Sequence, residues 1–532
     1  MQNDKKLLLG DDAVAQAAID AGLSGIYAYP GTPSTEIMEF VQKSPDARRR
    51  NIHRQWSANE KTAVEEALGL SYVGKRSMVC MKHVGLNVAA DAFINAAMTG
   101  VNGGLILVVA DDPSMHSSQN EQDSRFYGKF AMIPVFEPSC QQEAYDMVFE
   151  AYALSEKYAV PVMMRLTTRM AHSRSGVSRR ALQDENLRSL PENPSRFILL
   201  PVNARRQYKN LLALQNRFSE ESLHSVFNQY TDGPDKSIGI IACGIAYNYL
   251  LENFENHDCP YPVVKIAQYP VPADLIRNMA ATVKKILVLE EGYPFVEEQL
   301  NGIISRHYAV SGRLDGTLPR DGELSPDLAG KALGLKNISF FPASDSTVPR
   351  PPALCRGCGH IDMFSCIREV MKDIPDGLVF SDIGCYTLGA LPPFGTIVSC
   401  VDMGASITMA KGASDGGLPV AAAVIGDSTF THSGMTGLLD CILEKTSVTI
   451  IIGDNSTAAM TGGQDSSAFG RIEKICLGLG LEEDHLQVLT SLKKYHQENV
   501  EKLKKELLYQ GVSVVVFRRE CVQVAARRAR KG

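Results

Sequence analysis

Gly426-Asp427-Ser428 closes the apolar run Val420 to Ile425, and Asp454-Asn455 closes a second run, Val448 to Ile452, with 25 residues between Ser428 and Asp454. That interval suits a strand, a helix and a neighbouring parallel strand, so a carboxylate and an amide oxygen arrive side by side where open α/β sheets bind ligands. Hard oxygen donors of this kind suit Mg²⁺, which fills its remaining positions with a backbone carbonyl, water and substrate phosphates. The pair predicts a magnesium diphosphate site, with Gly426 and Gly453 letting the backbone approach the phosphates. Taken singly, a strand-end Asp also caps helices and an Asn also sits in turns. Cys355-x-x-Cys358 by itself is compatible with zinc, with iron–sulfur ligation or with plain thiols.

The elements that position these residues follow from the apolar pattern. From residue 7 to about 180, β-rich runs at Gly25 to Tyr29, Arg76 to Cys80, Gly104 to Ala110 and Val160 to Arg165 alternate with helical stretches, which reads as βαβ units around a buried parallel sheet. Residues 181–235, more polar and ending in a charged helical segment, read as a linker. A second α/β block over 236–335 carries strands at Ser237 to Ala242, Tyr261 to Ile266 and Lys285 to Leu289. A Gly-, Pro- and Ser-rich connection including Pro349, Pro351 and Pro352 leads to a third block over 350–532, with strands at Leu378 to Ser381, Val420 to Ile425, Val448 to Ile452 and Val512 to Phe517. The fold class is therefore α/β, with three doubly wound parallel-sheet domains.

Composition sets the outer limits. A chain of 532 residues has room for about three or four domains. With 45% hydrophobic and 21% charged residues, it is neither disordered, collagen-like nor a coiled coil. A net charge of −6 is too small and dispersed to point to nucleic acid or a membrane surface. The basic C-terminal residues Arg518, Arg519, Arg527, Arg528, Arg530 and Lys531 form a solvated end or a strip for an acidic partner. No run approaches the roughly 18 apolar residues that span a bilayer, and the start is too short for a secretory signal, so a cytoplasmic protein is expected. Twelve cysteines in such a chain are not a disulfide scaffold, so only clustered ones are ligand candidates. Cys80, Cys140, Cys243, Cys259, Cys366, Cys400, Cys441 and Cys476 read as core or incidental.

Asp427 with Asn455 at this spacing resembles the thiamine diphosphate motif, in which the carbonyl of Thr457 completes the protein ligands to the metal. The segments YPGTPSTE (29–36), WSANEKTAVEEALG (56–69), MKHVGLNVAAD (81–91), DDPSMHSSQNEQDSR (111–125), CRGCGH (355–360) and DIGCYTLG (382–389) resemble, in order and over nearly the whole chain, the large subunit of the indolepyruvate ferredoxin oxidoreductase family. The resemblance implies a pyrimidine-binding domain (1–180), a transketolase C-terminal-like domain (236–335) and a diphosphate-binding domain (350–532). It assigns Glu60 as the carboxylate that hydrogen-bonds the cofactor pyrimidine and starts catalysis. Thr32 would contact the 2-oxoacid carboxylate, although its Pro-Gly-Thr-Pro setting is also ordinary turn chemistry. His83 and Asn87, four residues apart, would face the substrate and cofactor, although a lone histidine there is also a common structural residue. His116 and His432 lie in family-like loops, and His360 suits a cofactor-domain turn better than a metal ligand. Gly426 and Ser428 belong with Asp427 to the cofactor-binding turn.

In the wider 2-oxoacid ferredoxin oxidoreductase family, the positions of Cys385 and Cys521 supply the third and fourth ligands beside Cys355 and Cys358. The resemblance thus implies a [4Fe-4S] cluster, with zinc or free thiols as the alternatives. The implied activity is oxidative decarboxylation of an aryl or branched 2-oxoacid such as indolepyruvate to an acyl-CoA, with CoA as cosubstrate. A smaller partner subunit and ferredoxin would complete the system. The family's ferredoxin-like domain, with two further Cys-rich motifs, falls just beyond the region that ends here at Gly532. A separate ferredoxin-like chain, another acceptor or a non-oxidative thiamine decarboxylase or ligase are the resulting alternatives. A non-catalytic cofactor-binding subunit is the remaining rival, and it would have no use for Glu60.

Overall fold

The computed structural model describes residues 5–304, 308–335, 346–348 and 352–530. Pro349, Pro351 and Lys531, and the boundary at residue 350, lie outside the described residues. The chain divides into two compact units, Met1–Pro342 and Ala343–Gly532.

The first unit contains two sheets. The larger has seven strands in the order Gln268–Tyr269, Val135–Phe136, Val162–Thr167, Leu105–Asp111, Ser77–Lys82, Gly25–Ala28, His53–Trp56. All its pairings are parallel except that of Gln268–Tyr269. Ser77–Lys82, Leu105–Asp111 and Val162–Thr167 are buried along their whole length, which is why their sequences are mainly apolar on both faces instead of alternating, with Arg165 as the charged exception away from the strand ends. The smaller sheet orders Ala309–Ser311, Lys285–Leu289, Gly239–Cys243, Val263–Ile266, Gln229–Thr231, with only the last antiparallel. Val263–Ile266 belongs to this sheet, yet two residues later Gln268–Tyr269 joins the edge of the larger one, so a single extended segment stitches the two together.

The 181–235 segment is itself packed. Helix Pro201–Leu223 buries Leu211 and Phe218 against Val160, and Gln183 and Ser189 donate backbone N–H groups to the carbonyls of Asp20 and Val73. Before it, Arg174–Ser178 pairs antiparallel with Lys5–Leu9.

Two fully buried arginines lie between the sheets. Arg165 bonds Asp111 at 2.6 Å, Glu137, and the Glu291 carbonyl at 3.0 Å. Arg125 bonds Asp123 and reaches Glu290 at 3.0 Å and the Tyr293 carbonyl at 3.0 Å. Burial pushes both Glu290 and Glu291 up to about 7, so the acids in excess of the arginines share the burden by holding protons.

The second unit is one five-stranded, wholly parallel sheet in the order Gly377–Ser381, Val420–Gly426, Val448–Asp454, Val512–Arg518, Leu486–Thr490. Apolar residues on its two faces feed separate cores, one around Phe364, Val424 and Val515 and the other around Ile407, Ile425 and Ile450. Among the described residues no helix is long and apolar enough to cross a membrane.

Arg165→Met is expected to destabilise the first unit by about 3–5 kcal/mol, because it strands buried carboxylates without their cation. Chemical denaturation followed by a probe in that unit measures it.

Candidate functional site

Strand register builds the edge of the second unit. Gly426 lies opposite Gly453, and Asp454 lies opposite Arg518, so Asp427 and Asn455 leave neighbouring strand ends together. Asp427 opens the short helix Asp427–Thr429, which passes through a π-helical turn, Phe430–Gly434, into Met435–Glu444. The Asp427 side chain is buried, and its Oδ2, like the Ser428 hydroxyl, has no hydrogen-bond partner. Burial first, and the neighbouring Asp454 charge second, push its carboxyl up to about 7. Asp454 itself accepts from Arg518 Nε at 2.6 Å, and Arg518 is held in turn by Glu473 at 2.8 Å.

Asn455 Oδ1 accepts the Thr457 N–H at 3.1 Å, which fixes the turn between them, and the Thr457 hydroxyl donates to the Gln464 carbonyl at 2.7 Å. A buried carboxylate oxygen without a partner, with amide and carbonyl oxygens in the adjacent turn, is a donor set that fits a hard divalent cation. The glycines hold the approach open. A Cβ on Gly426 would lie 2.6 Å from the Tyr386 ring, and one on Gly453 would lie 2.9 Å from His360 Nε2. His360 is buried in the first turn of Gly359–Met371, and burial lowers its imidazole to about 4, so it stays neutral. His432 lies buried inside the π-helical turn, 2.6 Å from the Ser433 hydroxyl.

Sequence reasoning missed the floor of this edge. Asp382 is buried and accepts from Ser406 Oγ at 2.6 Å, the Gly404 N–H at 3.2 Å and the Tyr386 hydroxyl. Burial pushes it up to about 6. Tyr386, locked by this bond, packs under Gly426. The segment DIGCYTLG drew notice for its cysteine, and a tyrosine four residues after an Asp was the available signal.

Cys355, Cys358, Cys385 and Cys521 line a single cavity of about 100 Å³, together with Asn455, Gly453 and His360. They come from three separate loops. Cys355 and Cys358 form a turn closed by a 2.9 Å N–H to carbonyl bond, Cys385 begins the 3₁₀ turn Cys385–Ala390, and the Cys521 N–H donates to the Asn455 carbonyl at 3.2 Å. Burial, then the other three cysteines, raise the Cys385 thiol to about 12, so four thiolates here are unfavourable until a metal compensates them. Of the other cysteines, Cys80, Cys243, Cys366, Cys441 and Cys476 are buried in cores, while Cys400 is exposed.

In the first unit, Glu60 begins helix Glu60–Tyr72, whose N-cap Asn59 accepts the Thr62 N–H at 2.9 Å. Its side chain is buried and lies against Gly85, where a Cβ would come within 2.5 Å of Glu60 Oε1. Gly85 lies between His83 and Asn87 in helix His83–Thr99, and because residues two apart on a helix point to different faces, the Glu60 contact belongs to Gly85 while His83 and Asn87 share another face. His83 Nε2 is 3.3 Å from Asn120 Oδ1, and Asn87 Oδ1 accepts the Tyr127 hydroxyl at 2.7 Å. The Thr32 carbonyl accepts from Ser117 Oγ at 3.4 Å, and Ser117 also takes part in the polar contacts around Lys82, whose ammonium burial lowers to about 8. His116 is half exposed and paired with Glu323 at 3.1 Å.

Residues 16–204 match the family described as "Pyruvate flavodoxin/ferredoxin oxidoreductase, thiamine diP-bdg", and residues 382–516 match "Thiamine pyrophosphate enzyme, C-terminal TPP binding domain". The chain is 37% identical over 559 residues to the indolepyruvate oxidoreductase subunit IorA of Archaeoglobus fulgidus, covering 100% of this chain and 88% of that one. It is 38% identical over 569 residues to the subunit of the same name from Pyrococcus abyssi, covering 97% and 86%. A solved 2-oxoglutarate:ferredoxin oxidoreductase from Magnetococcus marinus, with 2-oxoglutarate, coenzyme A and succinyl-CoA bound, shares the fold. Its TM-score is 0.50 at 17% identity, over 62% of this chain and 65% of that one.

Asp427→Asn removes a buried carboxyl group whose charge is disfavoured by burial and by Asp454 and whose Oδ2 has no hydrogen-bond partner. The melting temperature of the cofactor-free variant is expected to equal or exceed that of the parent, as read by calorimetry; a fall of several degrees would mark Asp427 as a fold-holding residue instead.

Proposed function

The chain belongs to the family of indolepyruvate oxidoreductase IorA subunits, thiamine diphosphate-dependent 2-oxoacid oxidoreductases. From that premise we propose that it is the catalytic subunit that converts an aryl or branched 2-oxoacid such as indolepyruvate, with CoA, into acyl-CoA, carbon dioxide, one proton and two electrons. Cys355, Cys358, Cys385 and Cys521 would hold a [4Fe-4S] cluster, which would supply the electron-accepting chemistry toward ferredoxin or a ferredoxin-like chain, and a smaller second subunit would complete the enzyme. The observation that carries the oxidative reading is the convergence of four cysteines from three loops on one cavity that Asn455 also lines. A non-oxidative decarboxylase would have no need of it.

Thiamine diphosphate, when bound, supplies the electron sink that makes loss of carbon dioxide feasible. The chain's own residues bind, orient and move protons around it. Asp427, Asn455 and the Thr457 carbonyl hold Mg²⁺, and the unpartnered Asp427 oxygen gains the cation that its burial otherwise denies it. Gly426 and Ser428 flank the diphosphate. Glu60 would hold the pyrimidine by a hydrogen bond and relay the activating proton, and the absence of a Cβ at Gly85 leaves the space its carboxyl group occupies. Thr32 orients the 2-oxoacid carboxylate, with His83 facing the substrate and Asn87 the cofactor. Cys355, Cys358, Cys385 and Cys521 ligate the cluster, and the donated Cys521 N–H ties its loop to the carbonyl of the metal ligand Asn455.

Two measurements test this reading. Anaerobically purified protein is expected to contain about four irons and four acid-labile sulfides per chain, as the stoichiometry of the cluster requires, with both lost in Cys385→Ser. Zinc in their place, or neither, would withdraw the oxidative assignment. Glu60→Gln is expected to keep its iron and its cofactor while losing at least about 100-fold in turnover, the scale of a lost general acid–base group. Unchanged turnover would remove Glu60 from the mechanism.

A further inference from the structure

The first unit carries a second set of ligand-type side chains that the reaction above does not use. Asp11 stands in the first turn of helix Gly10–Asp20, Glu36 in the first turn of Thr35–Lys43, and His172 at the end of Thr168–His172. The local packing holds them together. The Gly10 N–H donates to the Ser173 carbonyl at 3.2 Å, and a Cβ on Gly10 would lie 2.0 Å from the Met170 carbonyl oxygen. The helix start is therefore pressed directly onto the turn that carries His172.

One ligand atom from each of the three side chains lies within 4.8 Å of the other two, and His172 Nε2 is 3.6 Å from Glu36 Oε2. Asp11 is fully buried, yet neither of its carboxylate oxygens has a hydrogen-bond partner, and Glu36 Oε2 makes no hydrogen bond, only the longer ion pair with His172. A buried carboxyl group with both oxygens unpaired is costly, and here the cost is compounded by the Glu36 and Asp12 charges that face it. Glu36 also opens onto a surface cleft of about 620 Å³, bordered by Leu9, Asp12 and Phe40, and His172 is partly exposed on the other side. An ion thus has a way in.

We propose that Asp11, Glu36 and His172 form a binding site for a zinc-class divalent cation, separate from the magnesium ligands of the second unit. Two carboxylates and one imidazole, with a position left for water, suit Zn²⁺ or Mn²⁺ better than the all-oxygen coordination Ca²⁺ prefers. Metal–ligand bonds of about 2 Å require only a small closure of the three groups. The cation supplies the charge that Asp11 lacks. It also cross-links two helix starts to the turn after Val162–Thr167. Glu36 follows Thr32 by four residues, and the Gly31 N–H donates to Thr35 Oγ1 at 3.0 Å, so the bound ion would stiffen the turn that presents Thr32. Its role is positional.

The full chain, stripped with a chelator and dialysed against micromolar Zn²⁺ with millimolar Mg²⁺ present, tests the site. Zinc per chain is measured by mass spectrometry, and the melting temperature is recorded with and without Zn²⁺, for the parent, Asp11→Asn and His172→Gln. The parent is expected to retain about one zinc per chain more than either variant, and Zn²⁺ is expected to raise the melting temperature of the parent alone. Equal zinc content in all three proteins, or no zinc in any, overturns the proposal. His172 lies on the rim and outside the core, so His172→Gln decides the matter even if Asp11→Asn does not fold.

Discussion

The register of three parallel strands governs the second unit. Because Gly426 faces Gly453, and Gly453 faces Phe517, the residues that follow each strand emerge at one edge. Asp427, Asn455 and Cys521 are those residues or their near neighbours. Both faces of Val420–Gly426 and Val448–Asp454 are apolar, so a one-residue slip would exchange the side chains that fill the two cores and carry Asp427 away from Asn455. Burial of Val424, Ile425, Ile450, Ile451, Val514 and Val515 is therefore what specifies the ligand geometry. The 3.2 Å bond from the Cys521 N–H to the Asn455 carbonyl then makes the Cys521 loop and the Asn455 turn one construction.

The same economy appears in what the structure tolerates. Asp427 keeps an unpaired oxygen in a buried setting, and its carboxyl rises to about 7; this is unfavourable for the protein alone and favourable once a dication is present. Asp382, pushed up to about 6, repeats the pattern one layer deeper, but its oxygens are fully engaged by Ser406, Gly404 and Tyr386. The difference separates a group that awaits a ligand from one that holds a wall. In the first unit, Arg125 and Arg165 are walls of the second kind, since their carboxylate and carbonyl partners lie on both sheets.

Much of this was legible in the sequence, because buried parallel strands read as uninterrupted apolar runs. Gly25–Ala28, Lys285–Leu289, Val420–Gly426 and Val448–Asp454 fall within a residue or two of where the pattern puts them. The strands that escaped notice lack that pattern. His53–Trp56 and Leu486–Thr490 are partly exposed edge strands with polar residues, and Arg174–Ser178 is specified by its partner Lys5–Leu9. At the site, the Asp and Asn at strand ends were readable from spacing, and the meeting of Cys355, Cys358, Cys385 and Cys521 only from resemblance, because 162 residues separate Cys358 from Cys521 and no local rule joins them. The packing of Tyr386 beneath Gly426 and of Gly85 against Glu60 carries no local mark beyond the spacing of Asp382 and Tyr386, because both depend on contact between segments distant in sequence.

The central claim is that substrate-derived electrons enter a cluster held by the four cysteines, and only after Glu60 has acted. Anaerobic single-turnover absorption spectroscopy of the cofactor-loaded enzyme, mixed with indolepyruvate and no ferredoxin, addresses it directly. The account predicts bleaching of the iron–sulfur absorbance that requires both thiamine diphosphate and the 2-oxoacid, and that is lost in Glu60→Gln although its cluster is intact. An intact cluster that does not bleach with substrate, or that bleaches equally in Glu60→Gln, would contradict it.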